Sequence, residues 1–221
     1  AMDAVTAAAL KNPLCVIRSR AYGPMQPHRS DAIQDKYTHW SAQAAVRAAN
    51  PQVRMEALDF LSQHKGASEM ELYKRACYDS SYDAVASALM KVAQFTPPAD
   101  SGRLLDMVKP FESYPSAAVS LELAHLYAEH PAASQAGLFH MIPYRLASKQ
   151  FSSFLLEYGK WLSEMPELIP GEMPEILSMD HHAHSDGDLL IYRMLLDELV
   201  KDLERDNRKN APAAEVKNSC I

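Results

Sequence analysis

Along most of this chain, apolar residues recur at three- and four-residue intervals, the spacing of one face of an α-helix. After Ser30, which fits an N-cap, Ile33, Tyr37, Trp40, Ala44 and Ala48 fall on one such face. Asn50-Pro51 ends that helix and Pro51 opens the next, because proline suits the first turn. Val53, Ala57, Phe60 and Leu61 then point one way until Lys65-Gly66 supplies a stop. Ser68 with Glu71, and Ser80 with Asp83, have capping-box spacing. They predict one helix to about Cys77 and another carrying Tyr82, Val85, Leu89 and Val92 up to Thr96-Pro97-Pro98. Residues 101–109 predict a short helix, and Val119, Leu123 and Leu126 mark one more between Pro115 and His130-Pro131.

The last third is the most regular. Phe151, Phe154, Leu155, Tyr158, Trp161, Leu162 and Met165 form a broad apolar stripe. Burying such side chains is worth about 1.5–3 kcal/mol each, which predicts a core helix. Residues 166–178 contain Pro166, Pro170 and Pro174 and predict a loop with at most a short turn. Leu189, Tyr192, Leu196, Leu199 and Leu203 then form the seam of a final helix. Asp3 to Lys11 predicts a short Ala-rich helix, and residues 12–29, with Pro13, Pro24 and Pro27, an irregular connection.

No segment predicts a strand. The expected fold is all-α, a single helical bundle of about eight or nine helices with irregular proline-containing connections. It occupies residues 1–207, with 1–96 and 99–207 as sub-lobes, and 208–221 form a disordered tail.

Composition supports this picture. Hydrophobic residues make up 48% and charged residues 23%, as in ordinary globular chains, and only 7 glycines leave few turn signals for hairpins. The net charge of −6 comes without a basic face, which argues against nucleic acid as a partner. Cys15, Cys77 and Cys220 are an odd number of distant thiols, read as reduced and cytoplasmic. No apolar run is long enough to span a membrane.

Candidate chemistry concentrates in Met179–Asp188, MDHHAHSDGD, which supports two readings. Ser185 with Asp188 is a capping box, and carboxylates in a first helical turn are favoured by the helix dipole. On this reading Asp186 and Asp188 start the last helix and the histidines lie in a solvated turn before it. The second reading starts the helix at Asp180. Asp180 and His184, His182 and Asp186, and His184 and Asp188 are each four apart, so they share a face and could share a metal.

Further ligands would come from Glu122 and His125, a Glu-x-x-His pair, and from Glu157. This set resembles the haem-oxygenase-like di-iron oxidases, whose late helix carries His-x-x-x-Asp-x-x-His. His182 and Asp186 match that pattern, whereas position 189 is Leu. The resemblance implies a non-haem metal enzyme holding iron, manganese or zinc through His182, His184, Asp186, Glu122, His125 and Glu157. The run His182-x-His184-x-Asp186 is also similar to the metallo-hydrolases of the β-lactamase type, with Gly187 in place of the last His. Asp180-His181 is similar to the Asp-His pair of the redox-enzyme maturation chaperones, following Met179 where that family has Pro.

Taken singly, His125, His130 and His140 read as packed or surface residues. No nucleophile elbow or phosphate loop is present, so no catalytic residue or organic cofactor is assigned. The expected function is a protein-binding, adaptor or chaperone-like module. It would take a protein or peptide partner in a groove between helices, with a homodimer through the last helix as a further arrangement. The di-iron-type metal enzyme is the alternative.

Overall fold

A computed structural model describes residues 31–210. The expectations placed on residues 1–30 and 211–221, including Ser30, Cys15 and Cys220, lie outside the described residues. Among the described residues the fold is all-α, with ten α-helices joined by short 3₁₀ turns and no strand. The chain divides into two compact units between Leu126 and Tyr127.

In the first unit, α1 (Asp31–Arg47) packs on α2 (Pro51–His64), and α2 packs on α4 (Tyr82–Phe95), which also holds α3 (Met70–Ala76). Pro51 opens α2 as expected, and Asn50 caps it, its side chain accepting from the Gln52 N–H at 2.8 Å. Gly66 takes φ +54, the left-handed turn that glycine adopts without strain. Pro97 and Pro98 join α4 to α5 (Ser101–Val108) inside this unit, and α6 (Ala117–Glu129) runs across the boundary to the second.

Two local expectations change. The buried face of α1 carries Thr38, Ser41 and Ala45, while Tyr37, Trp40, Ala44 and Ala48 are half-buried. The Ser41 hydroxyl donates to the Tyr37 carbonyl at 2.8 Å, so a small polar side chain is buried with its hydrogen bond made. Ser68 and Ser80 do not cap. The Ser68 hydroxyl donates to the Lys65 carbonyl, and α4 starts after Ser81, whose N–H is taken by Asp79.

Asp79 is the electrostatic anchor of this unit. Its carboxylate receives Arg54 through two parallel bonds, Nε to Oδ2 and Nη2 to Oδ1, both 2.6 Å. Arg54 also donates to the carbonyls of Ala48 and Ala49, so one buried guanidinium joins the end of α1, α2 and the entry to α4. Burial alone raises the Asp79 pKa, but the bonds from Arg54 and the Ser81 N–H outweigh it and hold the carboxyl below its ordinary range.

The second unit is organised around α8 (Phe151–Glu164), which buries Phe151, Phe154, Leu155, Tyr158, Trp161 and Leu162 as the stripe predicts. Residues 131–150, without a clear period, contain α7 (Ala136–Met141), whose Phe139 stacks on Tyr158 and Trp161 with centroids 5.2 and 4.8 Å away. The predicted loop at 166–178 is instead α9 (Ile169–Ser178) after a 3₁₀ turn. Its prolines fall at four-residue intervals on the exposed face, Pro166, Pro170 and Pro174, while Ile169, Glu172 and Ile176 are buried. Pro166 and Pro170 occupy opening turns that need no N–H, and the carbonyl that Pro174 leaves unpaired is on the face exposed to water.

The last helix, α10, runs Asp186–Asn210, three residues past the predicted start of a tail.

Removing one partner of the buried Arg54–Asp79 pair leaves an uncompensated charge. Asp79→Ala is expected to cost about 3–5 kcal/mol of unfolding free energy. Urea denaturation checks this, and a loss below about 1 kcal/mol would show the pair to be a surface-type contact.

Candidate functional site

The His-rich segment is built from a 3₁₀ turn, Met179–His182, and the start of α10. Ser185 caps the helix: its Oγ accepts from the Asp188 N–H at 3.1 Å and donates to Asp188 Oδ2 at 2.8 Å. Asp188 Oδ2 also accepts from the His184 N–H at 3.2 Å, and Oδ1 takes the Ser152 hydroxyl of α8. The bond from Ser152, opposed by burial and helped by Ser185 and the His184 N–H, holds the Asp188 carboxyl below its ordinary range. The capping reading therefore describes this helix start, with an added bridge to α8. Asp180 precedes α10 within the 3₁₀ turn, so the shared helical face required by Asp180, His182, His184 and Asp186 does not form.

His182 lies against aromatic rings. Tyr144 meets it edge-on at 4.8 Å, Phe151 at 5.9 Å and His181 at 4.0 Å. Burial, then the neighbouring His181 and His184, lowers its pKa, so the imidazole is neutral near pH 7. It is thus half-buried, whereas the solvated turn was expected to expose it; His184 and Asp186 are exposed. Glu157 is half-buried on α8. Glu122 and His125 lie on α6 in the first unit, the former buried and the latter exposed. Among the described residues no three His, Cys, Asp or Glu side chains gather as a metal-holding group.

A polar cluster that single-residue reasoning misses lies in the same unit. Glu172, buried on α9, accepts from the Tyr158 hydroxyl at 2.5 Å and from His140 Nε2 at 2.6 Å, both on Oε2. Burial and the Glu172 carboxylate both push the Tyr158 hydroxyl well above its ordinary pKa, so it remains a donor. His140 and Glu172 are 32 positions apart, a pairing no local pattern announces.

An apolar groove of about 460 Å³ lies between α8 and α10. These helices run parallel: Ser152 meets Asp188, and Gly159 meets Leu195 one step further on. A Cβ at Gly159 would stand 2.9 Å from Leu195 Cδ1, so the tip of Leu195 packs directly against the glycine and would have to shift for a side chain there. Leu155, Gly159, Leu195 and Leu199 line the groove together with Leu156, Ile191 and Met194. Lys160 lines it near its middle, and Ser163, Glu198 and Asp202 line it farther toward the C-terminus of α8.

Sequence reasoning placed one seam on α10, yet Leu189–Leu196 reads LLIYRMLL and is apolar around its circumference except at Arg193. Of those side chains only Tyr192 is fully buried. Leu190 is 61% exposed and Met194 58%, and Leu156 across the groove is 62% exposed. That surplus of apolar positions was the available signal. Compared with family models, characterised proteins and solved structures, the chain gives no match.

Asp188→Ala removes both the cap partner and the bridge to α8. It is expected to destabilise the protein by about 1–3 kcal/mol, read by urea denaturation. Because the folded-state pKa is depressed, the Asp188 contribution is present above the ordinary carboxylate range and lost as pH falls through the lowered value. Asp188→Asn is therefore expected to flatten stability against pH in the acid limb. An unchanged limb would contradict the assignment.

Proposed function

We propose that this chain is a protein-binding module, adaptor or chaperone-like in type, that takes a partner's amphipathic helix into the α8–α10 groove. The observation that supports it most is the stretch Leu189–Leu196, apolar but for Arg193 and covered by the described residues on one side only. A helix apolar around most of its circumference is ordinarily buried around most of it, so the exposed side calls for a partner. The groove suits a helical ligand, an apolar trough between two parallel helices with its carboxylates toward the C-terminus of α8.

The energetics suit a reversible complex. Burying Leu156, Leu190 and Met194 is worth about 1.5–3 kcal/mol each before the cost of association. That cost is of order 4–15 kcal/mol. The half-covered Ile191 and Leu195 and the end charges must add to it, which places the complex among exchangeable rather than permanent ones.

A photo-reactive side chain placed at position 156 or 194 is expected to give the same partner adduct from native lysate. The same group at Ser178, exposed on α9 and outside the groove lining, gives none. Met194→Asp should abolish the adduct at 156 while leaving the unfolding midpoint unchanged. Equal labelling at all three positions, or none at any, would contradict the groove as the docking surface.

A further inference from the structure

We infer that the groove selects a helix of about three turns that lies antiparallel to α8 and α10 and carries basic residues in its N-terminal turn, an inference that rests on the docking reading above. The groove lining spans Ile191 to Asp202 on α10. At 1.5 Å per residue that is about 16 Å of helix.

Charge is what orients the ligand. The lining holds one ammonium, Lys160, near its middle, next to the Gly159–Leu195 contact, and two carboxylates, Glu198 and Asp202, farther along toward the C-terminus of α8. Lys160 is already engaged by Glu129 within the same unit. Glu198 bridges to Lys201 at 2.9 Å and the half-buried Asp202 to Arg205 at 3.0 Å, i,i+3 pairs with exposed cations that compete weakly with an incoming one. The same end receives the C-terminal carbonyls of α8, which stops at Glu164. A helix C-terminus carries about half a negative charge, so it favours both a cation and the N-terminus of an approaching helix. An antiparallel ligand brings both to this end, and its apolar i, i+3, i+4 and i+7 positions then lie along Gly159, Met194 and Leu195. A parallel ligand would set its own negative end against Glu198, Asp202 and the α8 carbonyls.

Three synthetic peptides of about sixteen residues, helical and sharing one apolar face, test this against the full chain. One carries a Lys-Arg pair in its first turn, one the same pair in its last turn, and one a Glu-Glu pair in its first turn. Fluorescence anisotropy is expected to give the first peptide a Kd about fivefold to tenfold lower than the other two. The advantage shrinks as salt rises. Glu198→Lys with Asp202→Lys is expected to invert the preference, and Glu198→Gln with Asp202→Asn to erase it. Both sites are on the rim, and circular dichroism confirms that each variant folds.

Equal affinity for all three peptides, lost in Met194→Asp, would overturn the basic N-terminal selection while leaving the docking reading in place. No binding by any peptide, with the chain sedimenting as a dimer that Met194→Asp splits, would make a second copy the occupant and overturn the inference. No binding by a monomer would overturn the inference and the docking reading together.

Discussion

The second unit depends on the close parallel contact of α8 and α10 at Gly159. Gly159 presents no side chain where the two helices meet, and the tip of Leu195 packs into the space a Cβ would take. The Ser152–Asp188 bridge adds a polar lock near the start of both helices and spends the cap of α10 on the same contact. Parallel neighbours cannot be joined by a tight turn, so the chain must return the length of α8 before α10 begins. The return is α9 and the His-rich 3₁₀ turn.

That return path explains the polar residues buried along it. Glu172 binds α9 to α8 through Tyr158 and to α7 through His140, and the Tyr192 hydroxyl reaches the Ile176 carbonyl at 3.0 Å from α10. Each of these buried donors and acceptors has a partner, which is what makes its burial affordable. His182 belongs to the same packing, held among Tyr144, Phe151 and His181. Its neutral ring is suited to aromatic contact. Once these helices are locked together, the side of α10 that faces away from Tyr192 has no cover among the described residues, and Leu190 and Met194 are exposed.

Much of this architecture was legible in the chain. The stripe from Phe151 to Leu162, the Pro51 start, the Gly66 stop and the Ser185–Asp188 cap all follow from local spacing, because each is settled within a few residues. What was not legible depends on distant partners or on the face presented to water. Pro166, Pro170 and Pro174 read as a break until their common exposed face is known. Thr38 and Ser41 read as surface until a neighbouring helix covers them. The His140–Glu172–Tyr158 cluster joins three helices and leaves no local trace. The groove was half legible: LLIYRMLL shows that α10 is apolar beyond one seam, but which side α8 covers is a matter of the fold.

The most direct test of the central claim, that this side of α10 is a docking surface, is hydroxyl-radical footprinting of Leu156, Leu190 and Met194. The purified chain and the chain in native lysate are compared, with buried Leu162 and exposed Tyr78 as internal references. The account predicts that all three side chains oxidise readily in the purified chain and become protected in lysate, while the references do not change. Protection already present in the purified monomer, or equal reactivity in both settings, would contradict it.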